Sequence, residues 1–155
     1  MVLFGLALRA SANGPSTVAV LDHESSVTHL GSYHTDSDLL QVVEKYKPGM
    51  IAMGAPLSLP SGLCCLEPSC ACELADPKRR GRQFELELAR LGISCFFTNK
   101  GSIIRSLIYR GINLNRKLTS RGYQVIEVYP HATKLMLFGD KIPPKNSASS
   151  VAFLR

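Results

Sequence analysis

The sequence predicts one α/β domain built on a mixed five-stranded sheet. Three short apolar segments follow one another at hairpin spacing near the start of the 155-residue chain. From about residue 36 onward, helical periodicity alternates with short apolar runs. A length of 155 residues suits a single domain with its own core, so we expect residues 1–155 to form one domain. The composition, 45% hydrophobic and 19% charged, excludes a disordered chain.

The first third of the chain contains four predicted strands and one predicted helix. Residues 2–8 and 17–21 are apolar, and residues 27–33 alternate roughly between apolar and polar side chains. This pattern favours an antiparallel meander of three strands. Residues 36–46 carry apolar side chains at helical spacing, and a Pro-Gly pair follows them. The apolar residues 50–55 then predict a fourth strand.

The second half of the chain adds three helices and the fifth strand. An amphipathic helix is predicted over residues 79–91, followed by a short strand or extended segment over residues 93–97. A longer helix with one apolar face is predicted over residues 102–120. Residues 123–129 predict the last strand, and a proline starts the last helix, over residues 131–137.

Positive charge is concentrated in the second half of the sequence. The formal net charge is +6, but residues 1–76 hold three basic and eight acidic side chains, whereas residues 77–155 hold fifteen basic and four acidic ones. This asymmetry indicates a polyanion-binding surface, with a solvated surface of mixed charge as the alternative. The candidate nucleic-acid contacts are Arg79, Arg80, Arg82, Lys100 and Arg105. Aromatic residues such as Phe84 and Phe96 are interpreted as core, so base stacking is not indicated.

No segment reaches the roughly 18 apolar residues that cross a bilayer. The apolar start of the chain lacks a basic n-region, so we interpret it as the first strand and not as a signal peptide. We therefore expect a cytoplasmic protein with no membrane partner. A homo-oligomer is compatible with the sequence.

Residues 57–78 are predicted to form a loop insertion, which we call the cysteine loop. It contains four of the five cysteines: Cys64, Cys65, Cys70 and Cys72. The spacing differs from the paired Cys-x2-Cys knuckles of zinc ribbons, so these weak candidate metal ligands are not expected to bind zinc. A disulfide, such as Cys65–Cys72 or Cys64–Cys70, and free thiols both remain open. Cys95 is interpreted as a core residue.

Three separated segments carry a resemblance to a known family. They are IAMGAPLSLPSG at 51–62, GRQFELELARLGISCFF at 81–97 and VIEVYPHATKLMLFG at 125–139. In this order and spacing they resemble domain of unknown function 429, whose members are described as predicted nucleases of the ribonuclease H fold. The cysteine loop and the segment SIIRSLIYRGI resemble the archaeal members of that family. The resemblance implies a ribonuclease H-like domain.

The resemblance also implies a site where carboxylates hold Mg²⁺ or Mn²⁺ for phosphodiester hydrolysis. Two acid positions of the family correspond to Ala7 and Gly54, which supply no ligand, whereas a third acid is present as Glu127. Glu85 and Glu87 lie near another acid of the family. With so few carboxylates, Mg²⁺ or Mn²⁺ would be held weakly.

Each of these acids also has a structural interpretation. Glu127 is either a remnant of a metal or substrate site or a strand-end glutamate satisfied by arginine or backbone donors. Glu85 follows Arg82 by three positions, which predicts a local ion pair in the helix.

Three hypotheses of function follow. The first is a nuclease-like protein with a degraded acidic site that binds nucleic acid or a protein partner without efficient cleavage. The second is an active Mg²⁺- or Mn²⁺-dependent nuclease whose site is rearranged around Glu85, Glu87 and Glu127 or completed by a partner subunit. The third is a small interaction module built on the cysteine loop. The first is favoured, and it predicts that Ala7, Gly54 and Glu127 lie close together on adjacent strands.

Overall fold

The strands of the molecule form one mixed sheet. The computed structural model describes residues 1–10, 14–143 and 149, and the rest of the predicted domain 1–155 lies outside the described residues. The strands are β1 Leu3–Ala7, β2 Ser16–Leu21, β3 Val27–Tyr33, β4 Met50–Met53 and β5 Val125–Glu127. Their order in the sheet is β3-β2-β1-β4-β5.

The pairing of these strands is antiparallel in the first half of the sheet and parallel in the second. β2 pairs antiparallel with both β1 and β3, whereas β4 runs parallel to β1 and β5 runs parallel to β4. The prediction of a single α/β domain with a mixed five-stranded sheet and three antiparallel first strands is therefore confirmed.

Among the described residues, four helices flank the sheet. They are α1 Asp36–Tyr46, α2 Gln83–Arg90, α3 Arg105–Thr119 and α4 Pro130–Phe138, and a single 3-10 turn, Gly139–Lys141, follows the last helix. No helix in the described part of the chain is long and apolar enough to cross a membrane.

Two helices begin later than the sequence predicts. The helix expected from residue 79 begins at Gln83, because Asp76 holds the preceding segment in a turn. The carboxylate of Asp76 accepts a hydrogen bond from the backbone amide of Lys78, and the backbone carbonyl of Asp76 accepts one from the amide of Arg79, both at 3.0 Å. The helix expected from residue 102 begins at Arg105. Residues 93–97, expected as a short strand or extended segment, have no regular secondary structure and do not pair with any strand of the described sheet.

The core lies between one face of the sheet and helices α1 and α3. Its fully or nearly fully buried side chains are Phe4, Leu6, Val18, Val20, Ile51 and Met53 from the sheet, with Leu39, Val43, Leu114 and Leu118 from the helices. Each such side chain contributes about 1.5–3 kcal/mol through burial. Gly111 lets α3 approach the end of β4, because a Cβ there would lie 2.5 Å from the carbonyl oxygen of Pro56.

The opposite face of the sheet carries small residues. Gly5, Ala19 and Ala52 are partly exposed there, and Ala7 is exposed. The alternation along β1 and β4 therefore separates a covered apolar face from a face with short side chains.

Candidate functional site

Arg82 joins two acidic residues at the end of the sheet. Glu127 is the last residue of β5 and pairs in register with Met53, the last residue of β4. The two Nη atoms of Arg82 donate to the two carboxylate oxygens of Glu127 at 2.6 and 2.7 Å. Its Nε donates to Glu85 at 2.7 Å, which is the local ion pair that the sequence predicts. The exposed fraction of the side chain is 7% for Arg82, 2% for Glu85 and 19% for Glu127.

Further donors complete this arrangement. Glu85 also accepts hydrogen bonds from the backbone amide of Arg82 at 3.0 Å and from the amide and hydroxyl of Thr98 at 2.8 and 2.5 Å. The amide of Leu57 donates to Glu127 at 3.0 Å. We call Arg82, Glu85, Thr98 and Glu127 the Arg82 network. Four hydrogen bonds occupy the acceptor capacity of Glu85, so it has no lone pair left for a metal ion.

The charge balance of the network holds Arg82 in its cationic form. Burial acts to lower the pKa of Arg82, but the hydrogen bond and charge of Glu127 and the charge of Glu85 raise it above its ordinary value. Bidentate pairing of a guanidinium with a carboxylate is the strong form of such an interaction. Glu127 thus has the surroundings expected for a strand-end glutamate satisfied by arginine and backbone donors.

Local sequence places the network at the start of α2. Arg82 is the N-cap residue in an extended conformation, and Glu85 in the first turn accepts from the N-cap amide, as in a capping box. The preceding residue, Gly81, has no room for a side chain, because a Cβ there would lie 2.5 Å from Oε2 of Glu85 and 2.6 Å from Cδ1 of Phe97. The Gly-Arg-x-x-Glu segment therefore folds around its own ion pair.

Ala7 and Gly54 lie beside each other on adjacent strands, at the same end of the sheet as Glu127. The amide of Gly54 donates to the carbonyl of Leu6 at 2.8 Å. Leu6, Met53 and Glu127 are aligned in register across β1, β4 and β5. Because neighbouring residues of a strand point to opposite faces, Ala7 lies on the face opposite to Leu6 and Glu127. The expected adjacency of the strands is present, but Ala7 and Glu127 point to different faces of the sheet.

Glu87 is separate from the Arg82 network. It is exposed on α2, where Nε2 of Gln83 donates to its carboxylate at 2.7 Å. Of the three acids in the rearranged-site hypothesis, two therefore meet through Arg82 and the third faces outward.

An apolar cavity of about 180 Å³ adjoins the Arg82 network. Its apolar lining includes Phe84, Leu88, Phe96, Ile104 and Leu107. Phe84 and Phe96 are exposed, which corrects their interpretation as core residues. Cys95, which also lines the cavity, is half-buried, and burial raises the pKa of its thiol. The cavity therefore suits an apolar group better than a hydrated cation.

The basic residues predicted to contact nucleic acid fall into three environments. Arg79 and Arg80 are exposed in the segment before α2, where Arg79 also pairs with Asp76 at 3.4 Å. Lys100 donates to the carbonyl of Cys70, and Arg105 pairs with Glu67 at 3.1 Å, so both contact the cysteine loop. Arg82 is buried and bound to two carboxylates, so its guanidinium is not accessible to a phosphate.

The cysteine loop brings four sulfur atoms together. The Sγ atoms of Cys64, Cys65, Cys70 and Cys72 all lie within 4.8 Å of one another, and together they can hold a metal ion. Cys64 Sγ lies 3.6 Å from Cys70 Sγ, well beyond the roughly 2.05 Å of a disulfide bond, and all five cysteines are free. The expectation that this loop does not bind zinc is therefore doubtful, and the described residues give no support to a Mg²⁺ or Mn²⁺ site.

Cys64 and Cys72 differ in acidity within this cluster. Hydrogen bonds with the backbone of Cys65 and then of Cys64 lower the pKa of Cys72 to about 6. Hydrogen bonding with the side chains of Cys72 and Cys70 raises the pKa of Cys64 to about 12. The cluster thus favours one thiolate, with neighbouring thiols as its hydrogen-bond donors.

Two features of the site were not predicted from the sequence. Thr98 was not singled out, although it supplies two of the four hydrogen bonds to Glu85. The link from Arg82 to Glu127 spans 45 positions, so no local spacing indicates it. The sequence feature that could have indicated the network is the Arg-x-x-Glu spacing at a helix start. This spacing is compatible with a helix cap in which the glutamate accepts from the N-cap amide, as well as with an arginine that contacts phosphate.

Comparisons with known proteins found no match to this chain. No family model matches the chain, and no curated protein or solved structure matches it either.

Proposed function

We propose that the chain is a ribonuclease H-like domain that binds nucleic acid without cleaving it. The observation that carries this proposal is the pairing of Glu85 and Glu127 with Arg82 at the ends of the parallel strands. The strand order β3-β2-β1-β4-β5, with three antiparallel strands followed by two parallel ones, is compatible with the resemblance to domain of unknown function 429.

Absence of cleavage follows from the state of the carboxylates. Metal-dependent phosphodiester hydrolysis uses carboxylates to hold divalent ions that activate water and stabilise the leaving oxygen. Here Arg82 supplies a permanent positive charge at the position where such an ion would have to bind. Mg²⁺ gives up its hydration shell reluctantly, so it would not displace a buried bidentate guanidinium. The rearranged-site nuclease would require Arg82 to leave both acids.

Nucleic-acid binding follows from the exposed cations near the start of α2. Lys78, Arg79 and Arg80 are consecutive and exposed. Phosphate contacts of this kind supply most non-specific affinity and make it strongly dependent on salt. Arg82, buried two positions after Arg80, attaches this segment to β5 through its bonds to Glu127. The segment therefore presents its charges from a rigid base.

The test compares two double variants of equal charge change. Arg79→Gln/Arg80→Gln alters the proposed surface, whereas Arg116→Gln/Lys117→Gln alters two exposed cations near the end of α3. Binding to duplex and single-stranded DNA and RNA oligonucleotides of mixed sequence would be measured by fluorescence anisotropy at increasing salt. For a duplex we expect the first variant to reduce the slope of log affinity against log salt by about 1.8, since each phosphate contact contributes about 0.9. The second variant should keep the slope of the original chain.

Two results would contradict the proposal. Binding that does not depend on salt, or that weakens equally in both double variants, would show that the exposed cations before α2 are not the nucleic-acid contacts. Cleavage of the oligonucleotides with Mg²⁺ or Mn²⁺, abolished by Glu127→Gln, would establish the rearranged-site nuclease in its place.

A further inference from the structure

We propose that Cys64, Cys65, Cys70 and Cys72 bind one Zn²⁺ ion as four thiolate ligands, and that this ion fixes the cysteine loop against α3. The inference rests on the geometry of the loop and is independent of the proposed nucleic-acid binding.

The separations of the sulfur atoms fit a single tetrahedral ion. A Zn–S distance of about 2.3 Å in a tetrahedron gives S···S edges of about 3.8 Å. The Sγ atoms of Cys64 and Cys70 are 3.6 Å apart, and no pair in the cluster exceeds 4.8 Å. Shifts of about an ångström or less therefore complete the coordination shell. An iron–sulfur cluster also uses four cysteines, but it places several irons and sulfides between them and needs a wider spacing.

A turn in the loop explains why the unusual cysteine spacing still converges. The amide of Cys70 donates to the carbonyl of Glu67 at 3.1 Å, which reverses the chain between the two cysteine pairs. Cys64 and Cys65 then face Cys70 and Cys72 across the turn. The Cys-x2-Cys knuckle of zinc ribbons is one way to place two sulfurs on one ion, and this reversal is another.

The same loop is attached to α3 at the residue between the cysteine pairs. Leu66 is fully buried, and its amide donates to the hydroxyl of Tyr109 at 2.7 Å. Lys100 donates to the carbonyl of Cys70, and Arg105 pairs with Glu67. Because Arg105 is already paired with Glu67, Lys100 is the cation that offsets part of the charge of a tetrathiolate zinc centre, which carries two more negative than positive charges. An ion in the cluster would therefore be held beside α3.

The ligand chemistry selects zinc over the metals implied by the family resemblance. Thiolates are soft ligands that prefer zinc, whereas Mg²⁺ and Mn²⁺ prefer carboxylate, carbonyl and water oxygens. The loop also needs such a support, because residues 57–78 contain no helix or strand. Long loops without secondary structure are uncommon in compact domains, and binding of a structural metal contributes directly to folding free energy.

The test is titration of the reduced, metal-free full chain with Co²⁺, which reports tetrahedral thiolate coordination by visible absorption and a thiolate-to-metal charge-transfer band. We expect saturation at one equivalent and displacement by one equivalent of Zn²⁺. Cys70→Ser and Cys72→Ser should each weaken binding by more than about 100-fold, since even changes behind a ligand cost about 10–100-fold. Cys95→Ser is the matched control and should bind as the original chain does.

The spectrum of the original chain decides the matter even if a serine variant fails to fold. Absence of the charge-transfer band in the reduced chain would overturn the proposal. So would an equal loss of affinity in Cys95→Ser and Cys70→Ser. Two disulfides in the purified chain, whose reduction does not allow Co²⁺ to bind, would establish the disulfide alternative.

Discussion

The Arg82 network and the cysteine loop both bring acidic groups together, but they differ in where the balancing positive charge comes from. In the network, two carboxylates converge and a buried guanidinium supplies the positive charge between them. In the loop, four thiols converge, with contacts between Cys64 and Cys70 and between the Cys72 thiol and the carbonyl of Cys65. The first cluster therefore carries its own cation, whereas the second has the ligands for one from solution.

The resemblance to a nuclease family and the ligands present in the chain indicate different places for a metal ion. The end of the sheet is where the family resemblance implies a divalent metal, yet its acids are satisfied by arginine, threonine and backbone donors. Soft ligands instead gather in the cysteine loop, as the sulfur atoms of Cys64, Cys65, Cys70 and Cys72. A zinc ion in the proposed four-thiolate site would support structure and not catalysis, because closed four-ligand thiolate sites leave no open position for water.

The largest expected effect comes from removing the internal cation. Arg82→Ala leaves the largely buried carboxylates of Glu85 and Glu127 without a cationic partner, so we expect the free energy of unfolding to fall by about 3–5 kcal/mol. Denaturant unfolding measures this change. Arg90→Ala, at the exposed end of the same helix, is the control and should cost no more than about 1 kcal/mol. Similar losses in the two variants would mean that the network does not stabilise the fold.

A smaller and more local effect is expected from removing the ion from the cysteine loop. At about 100 times its dissociation constant, a ligand stabilises the state that binds it by about 2.7 kcal/mol. Chelation should therefore speed hydrogen exchange of the Leu66 amide by about 100-fold, because the loop opens without its ion. The amide of Ile51, which bonds to Gln124 in the sheet, should keep its rate. Equal acceleration of both amides would show that the ion supports the whole domain, and no change at Leu66 would show that it does not hold the loop.

The sequence predicts the sheet better than it predicts either cluster. Strands and helices depend on local periodicity, so the apolar runs of β1 and β2, the alternation of β3 and the helical spacing of α1 and α3 could be recognised directly. The N-cap position of Arg82 depends on a turn at Asp76 that starts α2 later than periodicity indicates. The bond from Arg82 to Glu127 depends on how α2 meets β5, and no spacing in the sequence contains that information.

The expectation drawn from the cysteine spacing, that the loop does not bind zinc, is doubtful for a related reason. The rule that favours paired Cys-x2-Cys knuckles describes one backbone geometry, whereas the turn between Glu67 and Cys70 brings the sulfurs together by another. Burial of Leu66 against α3 fixes that turn. Convergence of the thiols is therefore a tertiary property, although the residues themselves could be identified as candidate ligands from composition alone.

We propose that thiolates, and not carboxylates, decide which metal this chain binds. The most direct measurement is equilibrium dialysis of the reduced full chain against equal concentrations of Zn²⁺ and Mn²⁺, followed by elemental analysis of the bound metal. We predict one zinc per chain, no retained manganese, and neither metal in Cys70→Ser. Retention of about one manganese per chain that survives Cys70→Ser and is lost in Glu127→Gln would contradict the account.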